Sequence, residues 1–263
     1  MYRFIITLTL ISYMMIGCTR TKVETINMAG STAFQPFAEK LAEEYMAKNK
    51  DIRINVQGGG SAVGIQSVQS GVAQIGMADM VSLPKEAEGL NSVVVAKDGV
   101  VLIVHPDNKI DGLSTKQIQQ IFSGRLKNWS ELDGEDGPIT VISREEGSGT
   151  RASFEELVLK DTKVSPEALI QDSTGAVRIM VENDLNSIGY ISYGFVTPKV
   201  KTLKIDGVAP TLQNIREGKY KLTRPIFLLT KGEPVGGIKE FIEFILSNQA
   251  QQLISDYGLV AIR

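Results

Sequence analysis

Ser143-Arg144-Glu145-Glu146-Gly147-Ser148-Gly149-Thr150-Arg151 stands between the alternating run Ile139-Thr140-Val141-Ile142 and a segment where Phe154, Leu157 and Val158 recur at helical spacing. The glycines therefore fall at a strand-to-helix turn. At such a turn the first N–H groups of the helix lack an intrahelical acceptor and the helix dipole adds partial positive charge, which suits a tetrahedral anion. Ser148 and Thr150 add hydroxyl donors, and Gly147 and Gly149 let the backbone come close. Arg144 and Arg151 bracket the turn, and a guanidinium can donate to two oxyanion oxygens at once. The same residues would also serve an ordinary capped helix with two surface arginines.

Two upstream turns repeat the pattern. Ala29-Gly30-Ser31-Thr32-Ala33 follows a run from Val23 to Met28 and precedes a helix with Phe34, Phe37, Ala38, Leu41, Tyr45 and Met46 on one face and Pro36 in its first turn. Gln57-Gly58-Gly59-Gly60-Ser61-Ala62-Val63-Gly64 follows Ile52, Ile54 and Val56 in alternation and precedes Ile65 and Val68. One Gly-Ser turn says little, since serine caps helices and glycine makes turns; three strand-Gly-Ser-helix junctions point to convergent helix N-termini. Gln74-Ile75-Gly76-Met77-Ala78-Asp79-Met80 reads as an apolar strand ending in a carboxylate. Asp79 suits a turn or a helix cap. Among donors it would instead repel a fully deprotonated ligand while accepting a hydrogen bond from one that keeps a proton, which favours phosphate over sulfate near neutral pH.

These segments, with Ser187-Ile188-Gly189-Tyr190-Ile191 and Thr223-Arg224-Pro225, resemble the PstS-like phosphate-binding proteins of bacterial and archaeal phosphate ABC importers over nearly the whole mature chain. The resemblance implies an α/β fold of the two-lobed periplasmic-binding-protein-like kind (type II): two discontinuous domains joined by a two-strand hinge with the ligand in the cleft. Lobe I would be 25–102 plus 226–263, and lobe II 103–225. It implies extracytoplasmic binding of inorganic phosphate by a monomer, delivery to ABC transporter permease subunits, no cofactor, and no chemistry on the ligand. Thr32 looks like the first-turn hydroxyl donor, with the Ala33 N–H beside it and Ser31 close by. Ser61 looks like the second-turn donor, and Asp79 like the acceptor of the phosphate proton. Arg144 looks like the guanidinium paired to both Asp79 and phosphate, while Ser148, Gly149 and Thr150 supply hydroxyl and N–H donors. Arg151 and Thr174 are further candidates; some relatives carry a different residue at the first of these. Ala33 and Met80 also stand where relatives often differ.

The 263 residues suit one to two compact domains, and 43% apolar residues an ordinary core. Lys and Arg number 28 against 30 Asp and Glu, a net charge of −2, so nucleic acid is not an expected partner and an anion must be held by local donors. Arg3, the apolar run Phe4 to Ile16 and then Gly17-Cys18 read as an export signal, the run being about 13 residues against the ~20 of a membrane span. Cys18, the only cysteine, excludes an intrachain disulfide. It resembles the lipidated cysteine of a lipobox, with Met15 where leucine is usual. The expected layout is a signal peptide at 1–17, a short tether at 18–24, and attachment of the protein to the cell membrane through a lipid on Cys18.

Strands and helices alternate downstream, the mark of an α/β fold. Val93 to Ala96 and Val100 to Val104 are strand-like, and Ser114 can cap a helix with Ile118, Ile121 and Phe122 that stops at Gly124. Lys127 to Pro138 reads as a polar loop in which Trp129 packs. A helix from about Gly175 to Asn183 leads to a strand at Ser187 to Ile191, and Ser173-Thr174-Gly175 could be a further helix start facing the cleft. The lobe crossings are expected at Val100 to Pro106 and Thr223 to Thr230, followed by helices bearing Phe241, Phe244, Ile245, Leu253 and Ile254. A phosphate-processing enzyme is the rival from another class. His105, the only histidine, precedes a proline; there is no His/Asp cluster with metal spacing and no Gly-x-Ser-x-Gly around Ser61, and no Lys follows Gly149-Thr150 as a P-loop requires. A binding protein of the same fold for sulfate, molybdate or tungstate is the nearer alternative, and Asp79 argues against those fully ionised ligands.

Overall fold

The structure, a computed structural model, describes residues 23–262. The expected signal at 1–17, the lipidation site Cys18 and tether residues 19–22 lie outside the described residues.

The chain opens with β1 (Glu24–Gly30), α1 (Gln35–Lys48), β2 (Ile52–Gly58), α2 (Ser61–Ser70) and β3 (Ile75–Asp79). β1 pairs in parallel with β2 on one side and β3 on the other, so both helices are crossovers. Every residue of β3 is buried, as expected of an inner strand covered on both faces. The long β4 (Asn91–Val104) follows, where the sequence suggests two short strands. Lys97-Asp98-Gly99 does not interrupt it. Instead the strand changes partners there: Asn91 to Gly99 pair antiparallel with β11 (Thr223–Thr230), and Val100 to Val104 pair antiparallel with β8 (Ser187–Ser192).

Beyond β4 come β5 (Gly112–Leu113), α3 (Thr115–Phe122), β6 (Thr140–Arg144), α4 (Gly149–Phe154), β7 (Leu169–Gln171), α5 (Thr174–Asn183), then β8, β9 (Lys201–Thr202), β10 (Lys204–Ile205) and α6 (Leu212–Arg216). Ser114 caps α3 in a reciprocal capping box with Gln117. α4 continues into one π-helical turn, Glu155–Leu159. The chain re-enters the first sheet at Leu222, whose carbonyl accepts from the Val100 N–H at 2.8 Å, and finishes with β11, α7 (Gly236–Ile245) and α8 (Asn248–Asp256). All of β11 pairs within the first lobe, so the second crossing lies at its leading edge rather than along Thr223 to Thr230.

Each lobe has its own apolar core, as a two-lobed α/β fold with discontinuous domains requires. Ile26, Met28, Phe34, Leu41, Ile75, Phe241, Ile245 and Ile254 fill the first. Val101, Ile103, Ile118, Phe122, Phe154, Val177 and Tyr190 fill the second, where Phe154 stacks on Tyr190 with centroids 4.2 Å apart. Trp129 packs in this core and donates its indole N–H to the Asn186 carbonyl at 2.9 Å. Phe241 is fully buried and lies 5.1 Å from the Tyr45 ring. Phe241→Ala is expected to cost about 3–5 kcal/mol through lost burial and the cavity left behind, read as a lowered midpoint of urea unfolding.

Candidate functional site

The Gly-Ser turns at residues 30–33, 58–61 and 147–150 meet at the cleft, and the start of α5 joins them. Ser31 is buried, and its Oγ accepts from the N–H groups of Ala33 at 3.2 Å and Phe34 at 3.0 Å. Ser148 caps α4 by accepting from the Arg151 N–H at 3.2 Å. A serine hydroxyl that accepts in this way keeps its own proton to donate elsewhere. Gly60, at φ 92°, turns the chain from β2 into α2 in a conformation that disfavours side chains. The Ala62 N–H then donates to the Gly147 carbonyl across the lobes at 3.1 Å.

Gly149 lies close against the opposite lobe. A Cβ on it would lie 2.3 Å from Ser61 Oγ, 2.4 Å from the Asp79 carbonyl oxygen and 2.7 Å from Asp79 Oδ1. Only glycine lets α4 begin against the end of β3.

Arg144 ends β6 with a fully buried side chain. Its Nε and Nη2 donate to Glu145 Oε2 and Oε1 at 2.9 and 2.8 Å, a bidentate pair. Further bonds run from Nε to the Gln171 carbonyl at 3.2 Å and from Nη2 to the Asp172 carbonyl at 3.3 Å. Nη1 donates to Thr174 Oγ1 at 3.0 Å, and Nη2 also reaches Thr32 Oγ1 in the opposite lobe at 3.3 Å. Thr32 Oγ1 also accepts from the Thr174 N–H at 3.4 Å. Among the described residues these acceptors leave one N–H on Nη1 open. Behind Arg144, the Tyr190 hydroxyl lies 2.8 Å from Ser143 Oγ and accepts from the Arg144 N–H at 3.2 Å; burial pushes its pKa up to about 12, so it stays neutral.

Asp79 is 2% exposed and its two oxygens differ. Oδ1 accepts from Ser61 Oγ at 2.8 Å, while the Asp79 N–H donates back to the same Oγ at 3.1 Å. Oδ2 has no hydrogen-bond partner. Arg224 Nη2 lies 2.8 Å from it, an ion pair outside hydrogen-bond geometry. The sequence reading pairs Asp79 with Arg144, and the structure corrects this: Arg144 is occupied by Glu145, Thr174 and Thr32, and the guanidinium beside Asp79 is that of Arg224. Strand order is the cause, because β11 lies between β3 and β4 with Ile226 opposite Asp79 and Arg224 opposite Asp98.

The structure thus brings Ser31, Thr32, Ala33, Ser61, Asp79, Arg144, Ser148, Gly149, Thr150 and Thr174 together. Arg151 it does not: its guanidinium donates to Glu155 Oε1 at 2.7 Å and to the Arg144 carbonyl at 2.9 Å, bracing the turn from outside. The sequence reading gives Glu145, Arg224 and Asp98 no place in the site, although the first two stand in segments it singles out. The signal for Arg224 was alternation, since it shares the inward face of β11 with buried Ile226 and Leu228. Two buried guanidinia face three carboxylates, so an anion would be held by oriented N–H and O–H dipoles rather than by net charge. A cavity of about 660 Å³ adjoins the turns, lined among others by Ala62, Met80, Glu146, Ser148 and Glu156. It shares Ser148 with the donor cluster, whereas the buried hydroxyls and Arg144 lie outside it.

Residues 19–249 match the model of the PBP superfamily domain. The chain is 35% identical over 243 residues to the phosphate-binding protein PstS of Bacillus subtilis (strain 168), covering 90% of this chain and 81% of that protein. A solved structure from Clostridium perfringens, described as a phosphate ABC transporter substrate-binding protein with bound phosphate, superposes with a TM-score of 0.88 at 37% identity, covering 91% of this chain and all of that one. An ABC-type phosphate transport receptor from Vibrio cholerae gives 0.75 at 34% identity, over 89% of this chain and 99% of the other.

Gly149→Ala should keep the lobes apart, since the added methyl overlaps Ser61 and Asp79. The expected readout is a larger radius of gyration in small-angle scattering than for the parent, with an unchanged far-ultraviolet circular dichroism spectrum; equal radii would contradict the close approach.

Proposed function

The chain belongs to the PstS family of phosphate-binding proteins, and we propose that it binds inorganic phosphate between its lobes outside the cytoplasm and delivers it to an ABC-type importer. The observation carrying this reading is Asp79 Oδ2, a buried carboxylate oxygen without a hydrogen bond among groups that otherwise donate. A buried acceptor without a partner costs free energy unless a ligand supplies the proton. Monoprotonated phosphate brings one, and sulfate does not.

In this reading Thr32, Ser31, Ser148 and Thr150 give hydroxyl protons, Ala33 and Gly149 lie at the N–H-rich turns, and the open N–H of Arg144 completes the shell. Ser61 acts by aiming Asp79, and Thr174 by aiming Arg144. The ligand would replace direct inter-lobe bonds such as Arg144 to Thr32 as the tie between the lobes, and hinge motion would occur where β4 changes partners and where Leu222 meets Val100. No step of chemistry on the ligand is needed. His105 supports a carrier rather than an enzyme, because its Nδ1 accepts from the Asp107 N–H in the turn after β4 and it has no bond to the cluster. Membrane attachment in this proposal is through a lipid on Cys18, with permease subunits as the partners of a monomeric carrier; among the described residues no helix is long and apolar enough to cross a membrane.

Calorimetric titration of protein stripped of anion by unfolding and refolding tests the proposal. One-to-one phosphate binding without a sulfate response is expected at neutral pH; sulfate binding alone would change the cargo, and no anion binding would end the carrier reading. Arg144→Ala should lower phosphate affinity by about tenfold or more, the size of one lost charge-assisted hydrogen bond. Asp79→Asn should admit sulfate, because a neutral amide offers donors where the carboxylate only accepts.

A further inference from the structure

Behind the phosphate cluster lies a second charged group, fully buried and not assigned to the ligand. Arg224 uses Nε and Nη2 on Asp98 Oδ2 at 3.2 and 2.8 Å, and Nη1 on the Asp79 carbonyl oxygen at 2.9 Å. Asp98 Oδ1 accepts from Ser192 Oγ at 2.8 Å. Arg224, Asp98 and Asp79 are each at most 2% exposed. Three of the five N–H groups of Arg224 are held in this way, and Nη2 sits 2.8 Å from Asp79 Oδ2 as an ion pair outside hydrogen-bond geometry.

This geometry separates two things a cation normally does together. It stabilises the negative charge on Asp79 and leaves the lone pairs of Oδ2 open. We infer that Arg224 is the positioning residue that keeps Asp79 charged and accepting, and thereby sets the preference for an oxyanion carrying a proton over one carrying none. Asp98 is the anchor that sets the angle of the guanidinium to Oδ2, and Ser192 holds Asp98 from β8 in the second lobe. Without Arg224, Asp79 and Asp98 become two buried carboxylates with no cation between them, and such a pair does not remain doubly charged. With the proton of that pair on Asp79 Oδ2, the oxygen donates instead of accepting, and the site then takes fully deprotonated oxyanions.

The inference rests on the phosphate-carrier reading, and one set of titrations separates the two. Phosphate and sulfate affinities are measured for the parent, Arg224→Lys, Arg224→Met, and Arg224→Met combined with Asp98→Asn; the last removes the buried pair as a unit and carries the test where the single variant fails to fold. The phosphate-over-sulfate preference is expected to fall by at least about tenfold in both methionine variants, and to be largely retained with lysine, which keeps the charge. A purely structural Arg224 would weaken both anions in parallel and leave the ratio intact, which overturns the inference alone. A parent that binds neither anion overturns the carrier reading and the inference with it.

Discussion

A carboxylate buried at 2% exposure with one oxygen lacking a hydrogen bond is the constraint around which the cleft is arranged. Burying a charge is costly, and the cost is met only by a partner of opposite sign and by hydrogen bonds in good geometry. Asp79 has both on its inner side, from Arg224 and Ser61, and neither as a hydrogen bond to Oδ2. The strand order follows the same need: β11 is inserted between β3 and β4, so that one guanidinium serves Asp79 and Asp98 from a single position.

The same strands join the lobes. β4 is hydrogen-bonded in the first sheet up to Gly99 and in the second from Val100, so Asp98, Arg224 and Ser192 lie where the chain passes between lobes. Ligand group, buried ion cluster and crossing strands are therefore one contiguous network. The crossing between the lobes and the setting of the carboxylate share the same residues.

In the proposed site, anion affinity would not depend on surplus positive charge. Arg144 is held by Glu145 and Arg224 by Asp98, while the chain as a whole is slightly acidic at −2. What remains is an array of hydroxyls, N–H groups and one open guanidinium hydrogen, fixed in place by caps and by the Gly149 contact. Fixed dipoles in a dry site act strongly at short range and make little field outside it. The arrangement therefore favours recognition by proton inventory over recognition by charge.

Much of this was legible locally. The period-two and helical patterns around the three Gly-Ser turns identified strands, helices and donors, because periodicity and capping act over a few residues. Resemblance supplied the two lobes and the candidate residues that meet at the cleft. What the sequence did not determine was which arginine faces Asp79. Arg144 stands in the donor motif and Arg224 lies 145 positions beyond Asp79, yet the register of β11 against β3 and β4 chose the second. For the same reason Lys97-Asp98-Gly99, polar enough to read as a break, became the middle of one strand once neighbours on either side satisfied its backbone. The sequence by itself determined the local elements and the kinds of groups available; tertiary pairing alone decided which charges met, because strand register is a contact between distant segments and leaves no trace in local spacing.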